Sequence, residues 1–142
     1  MEHKRFHYKS MDELKQELTR IGVRLPLSDS LEALKREVKL GARTMHNSIA
    51  IQPMEGCDGT ADGRPAELTL RRYDRFARSG AGLIWAEAVA ITPEGRANPR
   101  QLWLTRDNLD DYKRFVYDMK QTCLKENGFE PIVIMQATHS GR

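Results

Sequence analysis

The chain has 142 residues, with 23 lysines and arginines against 20 aspartates and glutamates and a formal net charge of +3. The signs are interleaved and the densest basic groups are His3-Lys4-Arg5 and Arg71-Arg72, so the basic face that nucleic acid needs is absent. Two cysteines, Cys57 and Cys123, form neither a disulfide framework nor a metal-type spacing, no apolar run approaches the roughly 18 residues of a membrane span, and the start MEHKRFHYKS lacks a signal-peptide core. A cytoplasmic protein with no metal, nucleic-acid or membrane partner is expected.

Met11, Leu14, Leu18 and Ile21 recur at helical spacing and predict a helix over 11–21. Ser10 with Glu13 makes a capping box, and Gly22 suits the stop. Leu31, Leu34, Val38 and Leu40, followed by Gly41, predict a second amphipathic helix over 30–40, with Leu25-Pro26-Leu27 as linker. These two helices make an N-terminal helical extension over residues 1–45, to which no chemistry is assigned.

From Ser48 the texture changes. SIAIQ (48–52) predicts a short strand that Pro53 ends, and residues 67–78 a helix with Leu70, Tyr73 and Ala77 on one stripe. GLIWAE (82–87) predicts a second strand, 88–105 a long loop, and 107–127 a helix with Asp107 as N-cap and Gly128 after it. PIVIMQ (131–136) predicts a third strand. The continuous apolar strands suit a parallel sheet buried on both faces, with right-handed βαβ units. A β/α barrel and a doubly wound sheet both fit this α/β order; three strands compare with the eight of a closed barrel.

The residues hardest to explain as packing follow the strand ends. Pro53-Met54-Glu55-Gly56 follows the first, Glu87-Ala88 closes the second, and Gln136 closes the third before Ala137-Thr138-His139-Ser140-Gly141-Arg142. Parallel strands put these ends on one face, where barrels and open α/β sheets place their sites. The Gln136 amide, donor and acceptor at once, suits the edge of a heterocycle or a cap on the sheet's rim. Glu87 has Arg96 and Arg100 as candidate ion-pair partners, and Cys123 falls on an apolar stripe and reads as core.

Residues 38–142 resemble the N-terminal part of the Old Yellow Enzyme family of NADH:flavin oxidoreductases and 2,4-dienoyl-CoA reductases. The motifs fall in order: Asn47 with Ile49 to Met54, Asp62-Gly63-Arg64-Pro65, Tyr73 to Ile84, Glu87-Ala88 with Thr92-Pro93-Glu94-Gly95-Arg96, and Gln136 with His139, Gly141 and Arg142. The resemblance implies a partial TIM (β/α)8 barrel over residues 46–142, about its first three strands, with FMN across its mouth. It implies backbone contacts to the flavin from Pro53, Met54 and Ala88 and a side-chain contact from Gln136. Glu55, His139 and Arg142 would stand on the active-site rim. It further implies hydride transfer from NADH or NADPH through the flavin to an activated alkene or similar small-molecule acceptor.

The family's substrate-anchoring residues match no position here, so no catalytic residue is assigned. Glu55 departs from the small polar residue or cysteine usual after Pro-Met. The sequence is expected to be a fragment, a truncated frame or one piece of a split enzyme, partnered by the missing barrel portion or by copies of itself. The alternatives are a non-catalytic half-barrel that binds a partner and a small doubly wound binding domain.

Overall fold

A computed structural model describes residues 5–141 of the chain. By internal contacts the chain divides into two units, Met1–Leu31 and Glu32–Arg142, so residues 32–45 group with the sheet that follows them. The first unit holds α1 (Met11–Arg20), whose Ser10 hydroxyl accepts the Glu13 N–H at 3.2 Å and whose residues are none of them buried.

The second unit begins with a single turn, α2 (Glu32–Lys35), followed by an antiparallel hairpin of β1 (Val38–Leu40) and β2 (Arg43–Met45). The expected helix over 30–40 is therefore corrected to one turn and a strand. Val38-Lys39-Leu40 alternates with period two, and Leu40 pairs with Arg43 around a two-residue turn. Gly41 there has φ +60°, the left-handed backbone that such hairpin turns need at their first position.

Three parallel strands follow, β3 (Ala50–Ile51), β4 (Leu83–Ala90) and β5 (Ile132–Thr138), joined in that order and connected by α3 (Glu67–Arg78) and α4 (Leu109–Asn127). The α/β alternation is as read from the sequence, and the described sheet is open rather than closed. Strand β4 runs three residues beyond the expected end at Glu87, and β5 two beyond Gln136. The cap of α4 is Asn108, not Asp107, and its side chain accepts the Thr105 N–H at 2.8 Å and donates to the Trp103 carbonyl at 2.8 Å. Gly128, φ +81°, ends the helix with its N–H on the Leu124 carbonyl. Among the described residues no helix is long and apolar enough to cross a membrane.

Both helices pack on one face of the sheet. Tyr73 and Ala77 from α3, and Tyr112, Phe115, Met119 and Cys123 from α4, form one cluster with Ile84, Ala86 and Val89 of β4. Burying side chains such as Ile84, Phe115 and Met119 stabilises by about 1.5–3 kcal/mol each. Neighbours in register on parallel strands share a face, so Leu83, Trp85, Ala88 and Ala90 stand with Ile132, Ile134, Gln136 and Thr138 on the opposite face. Trp85 there is 39% exposed.

Candidate functional site

The register of β4 against β5 slips between Ala86 and Ala88. Glu87 is the extra residue of a β-bulge, which leaves it without a partner in the ladder. The slip has two effects. It brings Ala88 beside Gln136 on the face away from the helices. It also turns the Glu87 carboxylate to the helix side, where Arg72 of α3 meets it. The Glu87 N–H, lost to the ladder, donates to the Tyr73 hydroxyl at 2.6 Å.

The expected pairing of Glu87 with Arg96 or Arg100 is thus corrected to Arg72, one turn before Phe76 on the helix face toward β4. Arg72 also grips Asp58, with Nη1 on Oδ2 at 2.9 Å and Nη2 on Oδ1 at 3.2 Å, and Thr69 donates to the same Asp58 Oδ1 at 2.7 Å. Arg96 instead donates to the carbonyls of Ala61, Pro99 and Gln101, and Arg100 to that of Gly59. Glu87 is 1% exposed. Burial pushes its carboxyl above the ordinary range; the Gly56 N–H and Arg72 pull the other way, and Asp58 adds to the rise. Burial alone would lower Arg72, but Glu87 and Asp58 outweigh it and hold its guanidinium above its ordinary value.

This network reaches the loop after β3. The Gly56 N–H donates to Glu87 Oε2 at 3.0 Å, tying the backbone two residues past Met54 to the residue before Ala88. A Cβ at Gly56 would run into the Arg72 guanidinium, so a side chain there would have to displace it. Pro53 is half-buried in this loop, and Met54 is 77% exposed.

A second tie comes from the loop after β4. Gln101, 2% exposed, accepts the Ala97 N–H at 2.6 Å, while its Nε2 lies 3.4 Å from Glu55 Oε1, the Ala88 carbonyl and Thr138 Oγ1. One amide thus touches β4, β5 and the loop after β3. Asn98 Nδ2 donates to Cys57 Sγ at 3.2 Å, and the Gly59 N–H to the Arg100 carbonyl at 3.0 Å, so the two loops are zipped together.

Of the residues expected at the site, Ala88 and Gln136 are therefore neighbours, and Glu55 is joined to them through Gln101. Pro53 and Met54 are joined through Gly56 and Glu87. Among the described residues the Gln136 side chain, half-buried, has no hydrogen-bond partner. His139 is exposed, lies against Gly95, and accepts the Gly141 N–H on Nδ1 at 3.0 Å within its own turn. Arg142 lies outside the described residues. Arg72, Asp58 and Gln101 were not expected at the site. Among the described residues no group of three or more His, Cys, Asp or Glu could hold a metal ion.

No family model matches the chain. An NADPH dehydrogenase of Halalkalibacterium halodurans is 28% identical over 102 residues, covering 70% of this chain and 28% of the relative. The solved Old Yellow Enzyme of Trypanosoma cruzi superposes with a TM-score of 0.62 at 26% identity, over 78% of this chain and 28% of its own. The Old Yellow Enzyme homologue of Zymomonas mobilis gives 0.58 at 25%, over 75% and 28%. The solved structures that this chain resembles are Old Yellow Enzymes. Morphinone reductase, solved with tetrahydroNAD, shares the fold with a TM-score of 0.64 at 24% identity. The chain spans less than a third of the length of these proteins.

Proposed function

We propose that the described strand ends form the flavin-binding rim of an FMN-dependent oxidoreductase, which takes hydride from NADH or NADPH and delivers it to an activated alkene or similar small molecule. The observation that carries this reading is the unpartnered Gln136 amide in register with Ala88. A half-buried amide with neither its donors nor its acceptor engaged within the described residues suits a planar heterocycle that offers both. Ala88 leaves room beside it because its side chain is one methyl, and the exposed Met54 is an apolar surface for a ring to cover.

In this reading Gln136 binds the polar edge of the ring, and the backbone at Pro53, Met54 and Ala88 orients it. Glu55, Gln101 and His139 stand on the rim. When bound, FMN supplies the redox chemistry, and the protein contributes position and electrostatics. Gln101 bridges the loop after β3 to β4 and β5 through Glu55, the Ala88 carbonyl and Thr138.

The test is the visible absorbance of the purified chain after incubation with FMN and gel filtration. Flavin should co-elute with folded protein, and Gln136→Ala should weaken its retention at least tenfold. A colourless folded wild type refutes the reading.

A second reading, a half-barrel that binds a partner, is favoured by the outer edge of β5. Among the described residues that strand pairs with β4 alone, so its other edge presents unpaired N–H and C=O groups that invite another strand. Met135, 43% exposed, lies on it. This reading expects self-association or capture of further β/α units, seen as a concentration-dependent elution volume, with no flavin in the peak.

A further inference from the structure

We infer that Arg72 is a positioning residue for the cofactor rim: by holding the Asp58 and Glu87 carboxylates together it sets the Pro53–Met54 backbone at the height of Ala88. The inference rests on the functional reading above, since only that reading gives Pro53 and Met54 a ligand.

Residues 53–59 have no regular structure, and the apolar tip at Met54 is 77% exposed. A segment of this kind holds a defined height only if its backbone is anchored. Its link to β4 is the Gly56 N–H on Glu87 Oε2. That link requires an accepting oxygen, and the oxygen belongs to a side chain that is 1% exposed. A lone buried carboxylate tends to take up a proton, which would remove the charge that strengthens the bond from the Gly56 N–H.

Arg72 prevents this in two ways. Its Nη2 engages Glu87 Oε1 and leaves Oε2 for Gly56. Its guanidinium also separates Glu87 from Asp58, gripping the latter with both Nη atoms. Without it, two carboxylates from different segments would face each other across little water. Arg72 Nε is buried without a partner among the described residues, so the fork of Nη atoms carries all of its pairing. The fork explains the choice of residue: a lysine ammonium is a point charge that cannot present two parallel N–H groups to one carboxylate while reaching a second. The missing Cβ of Gly56 fits the same account, because the guanidinium occupies that space.

The experiment compares the full wild-type chain with Arg72→Lys, reading amide hydrogen exchange and FMN binding by quenching of flavin fluorescence. Arg72→Lys should speed exchange at Gly56 at least tenfold, leave Val133, Ile134 and Met135 of β5 unchanged, and raise the Kd for FMN at least tenfold. If Gly56 and the β5 amides loosen together, Arg72 is a general structural residue and the inference fails. It also fails if Gly56 loosens and FMN affinity holds. A wild type that does not quench FMN removes the functional reading and this inference with it, and that outcome shows before any variant is made. Should Arg72→Lys not fold, Glu87→Gln carries the same comparison, with the same selective loosening at Gly56 expected.

Discussion

Two buried tyrosines offer a controlled comparison, because each loses one oxygen on replacement by phenylalanine but with different consequences. Tyr73 is 1% exposed, and its hydroxyl is the acceptor for the Glu87 N–H that the bulge removes from the ladder. In Tyr73→Phe the ring keeps its edge-on contacts with Phe76 and Phe115 at 5.3 and 4.9 Å, so the apolar contribution survives. What is lost is the partner of a buried N–H, at a cost of about 1–3 kcal/mol. The Tyr112 hydroxyl donates to the Gly63 carbonyl at 2.8 Å, but that carbonyl also accepts the Trp103 N–H at 3.1 Å. Tyr112→Phe therefore leaves no orphan and should cost about 0.5–1.5 kcal/mol. Burial pushes both phenols above their ordinary value, so both are neutral at working pH and titration does not confuse the comparison. Urea unfolding followed by circular dichroism, read as the midpoint at constant m, measures the two losses. A Tyr112→Phe loss equal to or larger than that of Tyr73→Phe would refute the account of the bulge amide.

Three further outcomes are expected. The Glu87 carboxyl is raised, by burial first; the folded state then binds this proton more tightly than the unfolded one, so its charged form costs stability at neutral pH and the cost eases as pH falls through the folded value. Wild type should accordingly gain on Glu87→Gln between pH 7 and pH 5, and denaturation at both pH values that shows it losing ground would contradict the sign. Met119, 2% exposed in the core, should lose about 2–5 kcal/mol on replacement by alanine, read from the same urea midpoints; a loss below about 1 kcal/mol would mean that α4 is not seated as described. Cys57 is exposed, whereas Cys123 is buried and its thiol is raised by that burial, so a thiol reagent should label one cysteine in the native protein and two in denaturant. Native labelling at Cys123 would place α4 off the sheet.

The sequence made some of this legible. Helix α4 announced itself because Tyr112, Met119 and Cys123 keep one face over several turns, and β4 and β5 did so because their apolar runs are uninterrupted. That Ala88 and Gln136 lie toward the same end of the sheet followed from parallel order alone, and the structure makes them neighbours. The hairpin at 38–45 escaped because Leu34 and Val38 fit helical spacing as well as Val38 and Leu40 fit alternation, and over so few residues the two periods cannot be separated. Arg72 escaped for a different reason. Its partners Asp58 and Glu87 are remote along the chain, and which of several arginines meets Glu87 depends on the bulge, which no periodicity encodes. Gln101 is similar: a polar residue in a loop looks solvated until the loop folds back over the strand ends.

A regular strand counts its residues in twos, so losing one anywhere along it throws every later side chain to the wrong side. Strand β4 contains one residue that this count skips. With Glu87 removed, Ala86 and Ala88 would become consecutive partners of Met135 and Gln136, which are consecutive already. The parity of Ala88, Val89 and Ala90 would survive the shortening, because the bulge supplies the residue that is lost. Within β4, then, position 87 is where the chain can change length without rewriting the strand, and the contacts with Arg72, Tyr73 and Gly56 are the ones such a change would forfeit.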